Sequence, residues 1–344
     1  MPAPILSTWL YAEPEGEESF YPQVAGRPSS PWFQAIYWRC VAVFYAAAAR
    51  TAPGARLVFY TNVPEIPDVE GAPVGALLER LGVEIERPPF TFVPPDGYYG
   101  AWRNQFYVLD LIGALADRLG PDDVGVLLDS DCVWVGAPDA LAAATRAHGA
   151  LTLDVGIAMD EKQNGLTPRE MGRIYAELGA PAEVPVYYGG EIVAATGTVA
   201  RRLADEARAV WDEMLRRHTD GLPKFNEEAH LLSFLYHRMG LARGTADAFT
   251  DRIYTSLKDG KTVRPGHFAL PLWHLPNEKR YGFRRLFPAV MDGTSWFWQG
   301  PPDEAWRARL GRVLGVPRRT PRKAVLDVAA AVRDKAASWS GLRD

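Results

Sequence analysis

Over the first 128 residues, short β-forming runs alternate with helical patterns, and this alternation limits the fold more than any other feature of the chain. Residues 4–8, 56–60, 83–85 and 124–128 read as strands, while 33–50, 74–81 and 101–119 carry helical periodicity. Strand and helix taken in turn predict an α/β, Rossmann-like domain, with a mostly parallel central sheet and helices on both faces. Ligands of such sheets bind beyond the carboxyl ends of the strands. The second half is less regular. It predicts a strand at 150–153, a helix at 168–178 and a strand at 184–194 interrupted by Gly189-Gly190. A long helix at 199–217 should bury Leu203, Val210, Trp211 and Met214, and a shorter one at 227–239 is expected to be capped by Asn226 and stopped by Gly240.

Composition closes off other classes. With 47% hydrophobic and 23% charged residues the chain has the means to bury a core. Its longest apolar run, Cys40 to Ala49 between Arg39 and Arg50, is about half the roughly 20 residues a spanning helix needs. The N-terminus has no basic region ahead of an apolar run, so a cytoplasmic protein is expected. Cys40 and Cys132 supply neither a disulfide framework nor metal-ligand spacing and read as buried thiols. The net charge of −4, with no extended basic block in the body, argues against a nucleic-acid partner. The charge is unevenly spread, however. Residues 305–344 carry ten Lys/Arg against three Asp, or +7, which leaves −11 for the rest. We therefore expect a domain over 1–303 and a basic helical appendage over 304–344, with a hinge near 317–322. In the appendage Val325, Val328, Val332, Ala336 and Trp339 share one helical face, with Arg322, Lys323, Arg333 and Lys335 around the remainder. That pattern suits an interfacial helix making peripheral contact with the inner membrane surface, and equally a helix packed back on the acidic body.

The strongest chemical signal is Val126-Leu127-Leu128-Asp129-Ser130-Asp131. An apolar strand ends in two carboxylates one residue apart, at the sheet edge where ligands bind. Hard cations such as Mn²⁺ or Mg²⁺ take one or two carboxylates together with substrate phosphates. The same residues also suit a strand-to-turn junction in which Asp and Ser cap backbone amides. A third reading is a haloacid-dehalogenase-like phosphatase, with Asp129 as phosphoryl acceptor. In that family the pair lies near the domain's start and a small residue follows, whereas Cys132-Val133 here follows several βα units. Glu228 stands in the first turn of its helix, on the stripe of Leu232, Leu235 and Met239, where the helix start favours its ionised form. The alternative is a pair, Glu227 and Glu228, that merely complements the helix dipole. Thr8 and Tyr60 end the first two strands, where a nucleotide would lie and an aromatic ring could stack on a base, although core packing accounts for most aromatics.

Two later segments add to this: Val186-Tyr187-Tyr188-Gly189-Gly190-Glu191 and Phe225-Asn226-Glu227-Glu228-Ala229-His230-Leu231. With the Asp129-x-Asp131 strand, their order and spacing resemble retaining GT-A-fold glycosyltransferases of the blood-group A/B and α-1,3-galactosyltransferase family. That family has His, Asp and Ser where Asn226, Glu227 and Ala229 stand. Trp273-His274-Leu275-Pro276-Asn277-Glu278-Lys279 resembles the late His…Lys segment of the glycogenin and lipopolysaccharide-galactosyltransferase family, one residue shorter. The resemblance implies a metal-dependent retaining transferase that moves a sugar from a UDP-linked donor to an unknown acceptor, whether a glycan, a lipid-linked sugar or a small natural product. It implies Asp131, Asp129 and His274 as metal ligands and Lys279 as holder of the diphosphate. Asp129 and Arg103 would contact the donor, and Glu228 would be the catalytic carboxylate. Gly189, Gly190, Glu227 and His230 would line the sugar site. A non-catalytic nucleotide- or sugar-binding relative is the remaining alternative.

Overall fold

The computed structural model describes residues 2–21, 24, 26–180, 185–256 and 262–339. The chain runs through β1 (Ile5–Leu10), α1 (Pro31–Thr51), β2 (Arg56–Thr61), β3 (Asp68–Val69), β4 (Ala72–Pro73), α2 (Val74–Arg80) and β5 (Glu84–Glu86). Next come α3 (Tyr107–Asp117), β6 (Val124–Leu128), β7 (Cys132–Trp134), α4 (Asp139–His148), β8 (Ala150–Leu151), α5 (Pro168–Glu177) and β9 (Ile192–Thr196). Then follow α6 (Gly197–Thr219), α7 (Glu228–Arg238), β10 (Leu272–His274), α8 (Gly282–Met291), α9 (Glu304–Leu314) and α10 (Pro321–Trp339). The class is α/β, with a mostly parallel central sheet flanked by helices. The chain divides into two compact units, residues 1–7, 88–128 and 139–248 forming the first and 8–87, 129–138 and 249–344 the second. Among the described residues no helix is long and apolar enough to cross a membrane.

In the first unit the strands neighbour one another in the order β1, β6, β9, β8. β9 runs antiparallel to β6, from Leu128↔Ile192 to Val124↔Thr196, and antiparallel to β8. The Ser7 hydroxyl donates to the Val126 carbonyl at 2.9 Å. α6 is capped by Thr196, whose hydroxyl accepts the Val199 amide, and it buries Leu203, Val210, Trp211 and Met214 as the periodicity predicts. Trp211 packs on Phe106, Tyr98 and Phe92 with ring centroids 4.7, 5.4 and 6.0 Å away. α5 opens with a capping box between Thr167 and Glu170 and has Pro168 at its first position.

In the second unit β2 lies between β5, to which it is parallel, and β1. Ser30 caps α1 by accepting the Phe33 amide, and Pro31 starts the helix. The apolar run from Cys40 to Ala48 is buried all round, which explains its length without a membrane. Tyr45 ties two strands together, its hydroxyl donating to Val58 O (2.5 Å) and accepting Thr8 N–H (3.2 Å).

Three local expectations are corrected. The helix expected at 101–119 begins with a 3₁₀ turn, Arg103–Phe106, after Trp102 in a left-handed conformation (φ 58°), and becomes α-helical only at Tyr107. Asn226 does not cap α7; Glu227 occupies the cap position, and the Asn226 side chain donates to Asn164 O instead. The strand expected at 184–194 begins at Ile192; residue 184 lies outside the described residues, and Tyr188 forms only an isolated bridge with Asp154. Gly240, with φ 69°, follows α7 as expected.

The tight packing of α3 on α6 gives a prediction of opposite signs at two glycines. A Cβ on Gly197 would sit 2.1 Å from the Gly120 carbonyl oxygen, whereas one on Gly113, inside α3, would meet Ala204 Cβ at an ordinary 3.8 Å. Gly197→Ala should therefore cost about 1–3 kcal/mol, and Gly113→Ala should gain about 0.5–1 kcal/mol in urea denaturation.

Candidate functional site

The two carboxylates of Asp129-Ser130-Asp131 follow β6 directly and belong to the second unit. The chain then enters β7, which pairs antiparallel with β10 in the register Trp134↔Leu272, Val133↔Trp273, Cys132↔His274. The Leu275 amide donates to Asp131 O at 3.1 Å, extending that register by one bond. His274 is thus delivered to the carboxylates: its Nε2 lies 3.4 Å from Asp131 Oδ1 and 4.0 Å from Asp129 Oδ2. Five residues on, in the 3₁₀ turn Pro276–Arg280, Lys279 places Nζ 2.9 Å from Asp131 Oδ2.

Asp131 is wholly buried, and His274 and Lys279 nearly so. Burial raises the Asp131 pKa, but the Lys279 ammonium and His274 overcome it and hold the carboxyl well below the usual carboxylate range. Burial likewise opposes the Lys279 charge, and Asp131 outweighs it, keeping the ammonium protonated. α1 contributes Tyr37, whose ring centroid is 5.4 Å from Lys279 Nζ. The Tyr37 hydroxyl is buried and makes no hydrogen bond among the described residues, and burial raises its pKa. Donor atoms of Asp129, Asp131 and His274 lie within 4.8 Å of one another. Two carboxylates and an imidazole are donors that Mn²⁺ or Mg²⁺ accepts, so these residues fit such an ion. The buried Tyr37 hydroxyl beside them has hydrogen-bonding capacity still to spend.

The first unit carries a second cluster, around the start of α7. Glu228 is 3% exposed at the first helical position, where the free amides and dipole favour an anion. With the Gln105 amide assigned so that its nitrogen faces Glu228, the orientation its neighbours favour, it donates to Oε1 at 2.8 Å and to Oε2 at 3.2 Å. A Cβ on Gly190 would lie 2.5 Å from Glu228 Oε1, and one on Gly189 would lie 2.3 Å from Glu191 Oε2. As these carboxylates stand, they fill the space that a Cβ at either glycine would take. Glu227 accepts hydrogen bonds from the Tyr187 hydroxyl (2.9 Å) and from the Asn164 amide. His230 is fully buried. Its Nδ1 accepts the Asn226 amide (3.3 Å), so Nε2 carries the proton, donating to Gln163 O at 3.1 Å with Glu227 Oε1 3.4 Å away. Burial lowers the His230 pKa, only partly countered by Glu227.

The structure thus brings Asp129, Asp131, His274 and Lys279 together in one unit, and Gly189, Gly190, Glu227, Glu228 and His230 in the other. Arg103 also belongs to the first unit, where its Nε donates to Pro94 O (3.0 Å) and its guanidinium faces Asp96 at 3.6 Å. Thr8 and Tyr60 are fully buried within the strands they were expected to end. A ring with no exposed surface offers no platform for stacking, so the expectation for Tyr60 is corrected to core packing. Sequence reasoning gave no role to Tyr37, Gln105, Asn164 or Tyr187. Only Tyr187 had a local cue, standing inside the segment 186–191 already singled out, while Gln105 lies two residues from Arg103.

No family model and no curated protein sequence matches the chain. Among solved structures, the chain is similar to the galactosyltransferase LgtC in complex with donor and acceptor sugar analogs. The identity is 14%, covering 89% of this chain and 99% of that one, with a TM-score of 0.47. An active-site mutant of LgtC is similar at 12% identity over 78% of this chain and 86% of that one, with a TM-score of 0.44.

The His230 environment sets a pH dependence. Its folded pKa lies below the ordinary imidazole value of about 6.5, so as pH falls through that value the unfolded chain takes up a proton that the folded chain refuses. Stability contributed by neutral His230 is complete above that pH and declines below it. Urea melts at pH 7.5 and 5.0 should show the decline, and His230→Gln, although less stable throughout, should show a shallower one.

Proposed function

We propose that the protein is a metal-dependent, retaining glycosyltransferase of the GT-A type, moving a sugar from a nucleotide-sugar donor, taken to be UDP-linked, to a sugar-bearing or small-molecule acceptor. The observation that carries this reading is the convergence of Asp129, Asp131 and His274 within 4.8 Å, with Lys279 beside them. In this reading residues 1–303 form the transferase domain and 304–344 a helical extension of it. Asp131, Asp129 and His274 hold Mn²⁺ or Mg²⁺, and Lys279 holds the diphosphate. A bound divalent cation supplies Lewis-acid neutralisation of the leaving diphosphate.

The remaining chemistry belongs to the chain's own groups. Glu228 is the proposed catalytic carboxylate, acting on the anomeric carbon as nucleophile or as stabiliser of an oxocarbenium-like state. Gln105 aims it by donating to both of its oxygens. Glu227 is engaged by Tyr187, Asn164 and His230, so it serves to hold the loop rather than to react. Arg103, Gly189 and Gly190 are assigned to the donor and sugar contacts. An imidazole among the carboxylates suits a metal site and has no role in a phosphoaspartate mechanism, which favours the transferase over the phosphatase reading.

Two variants test the reading. Asp131→Asn should abolish Mn²⁺-dependent UDP binding in calorimetry, and undiminished binding would refute the metal assignment. Glu228→Gln should keep donor affinity and Tm yet lose about 10²–10³ in kcat. An α-linked donor should give an α-linked product by NMR, and a β-linked one would overturn the retaining assignment.

A further inference from the structure

The second unit buries one more ionic cluster, and it is built by the tail. α10 carries Lys323 and Asp327 one helical turn apart, 2% and 3% exposed, while Val325, Val328 and Val332 on the same helix remain exposed. This reverses the expectation that Lys323 would decorate the outer face; the side chains of Arg333, Lys335, Ala336 and Trp339 lie outside the described residues. Lys323 Nζ is 2.7 Å from Glu278 Oε1 and 2.9 Å from Asp327 Oδ2. Asp327 is also bridged by Arg285 (2.7 Å) and Arg319 (2.9 Å). Glu278, 1% exposed, accepts in addition from the Thr255 hydroxyl and from the Gly282 amide at 2.9 Å.

A cluster of this kind contributes little net stability, because desolvating its charges offsets most of their attraction; its effect is to fix geometry. The geometry it fixes is that of Pro276–Arg280. Glu278 is the residue before Lys279 in that 3₁₀ turn, whose own backbone contributes the Glu278 N–H to Leu275 O (3.0 Å) and Tyr281 N–H to Glu278 O (3.0 Å) bonds. The side chain of Glu278 is held by α10 on one side and by the Gly282 amide on the other. Its neighbour Lys279 is held by Asp131. Short 3₁₀ turns are weakly determined by their own hydrogen bonds, so an outside anchor decides where such a turn sits.

We propose that α10 is a positioning element of the site: through Lys323 and Glu278 it fixes the turn that carries Lys279, and so sets the reach of the ammonium toward the diphosphate of a nucleotide. This inference rests on the reading of Lys279 as the diphosphate ligand. Lys323 acts through Glu278 and the backbone, and contacts no substrate itself.

The test compares the full chain with Lys323→Met in two ways, by calorimetry of UDP and UMP in Mn²⁺ and by amide exchange over residues 276–282. UDP affinity should fall about tenfold, as for other residues that orient a ligand-binding group, with UMP affinity unchanged. Exchange over 276–282 should rise in the same variant. If Lys323→Met fails to fold, Glu278→Gln with Lys323→Met removes both charges, a change that buried pairs tolerate better, and the same outcomes are expected. Equal weakening of UDP and UMP would reveal general loosening and overturn the proposal, as would unchanged UDP affinity or unchanged exchange. Should the unaltered protein bind neither nucleotide, the glycosyltransferase reading fails, and the exchange result alone decides whether α10 fixes the turn.

Discussion

The candidate site of the second unit is organised around the buried charge of Asp131. Asp131 has no exposed surface, and an isolated carboxylate in that position costs several kcal/mol. The compensation arrives from far along the chain. β10 must pair with β7 in the observed register for His274 to reach Asp131, and the turn after β10 must return at once to deliver Lys279. That turn is held in its place by Glu278, which α10 grips in turn. The order of dependence therefore runs from a strand-end carboxylate to a helix that the sequence presents as an appendage.

The first unit meets a related problem with hydrogen bonds. Glu227 and Glu228 are adjacent and both nearly buried, yet their partners differ. Glu227 takes a hydroxyl, an amide and an imidazole, while the Gln105 amide and the helix start are among the partners of Glu228. The carboxyl groups of Glu191 and Glu228 lie in the space left by the missing Cβ atoms of Gly189 and Gly190.

Most of this was legible where the information is local. The first-half strands appear near their expected positions because apolar runs between turn residues leave few alternatives, and α6 buries the four residues its period singles out. The carboxylate pair was legible because an apolar strand ending in two acids is chemically unusual. What escaped is non-local. β7 and β10 have three residues each and lie more than a hundred residues apart, so neither shows a pattern until the other is present. Tyr37 is one of six aromatics in α1, and nothing in the sequence marks it out from the others. α10 misled for a different reason: its valines suggest a packed or interfacial face, whereas the helix buries a lysine and an aspartate. Periodicity assumes that charges stay outside, and a fully paired cluster is the exception.

The division of the chain has a consequence for its birth on the ribosome. The first unit is complete once Ala248 has emerged, but the second takes its last segment from residues 249–344. Asp131 therefore leaves the ribosome well ahead of Lys279, and at about 5–20 residues per second the delay is on the order of ten to thirty seconds. Throughout that interval the strand end must keep its carboxylate in water, because burying it without a counter-charge is unfavourable. The second unit thus closes around Asp131 only after Lys279 has emerged, and α10, which holds the turn carrying that lysine, emerges later still.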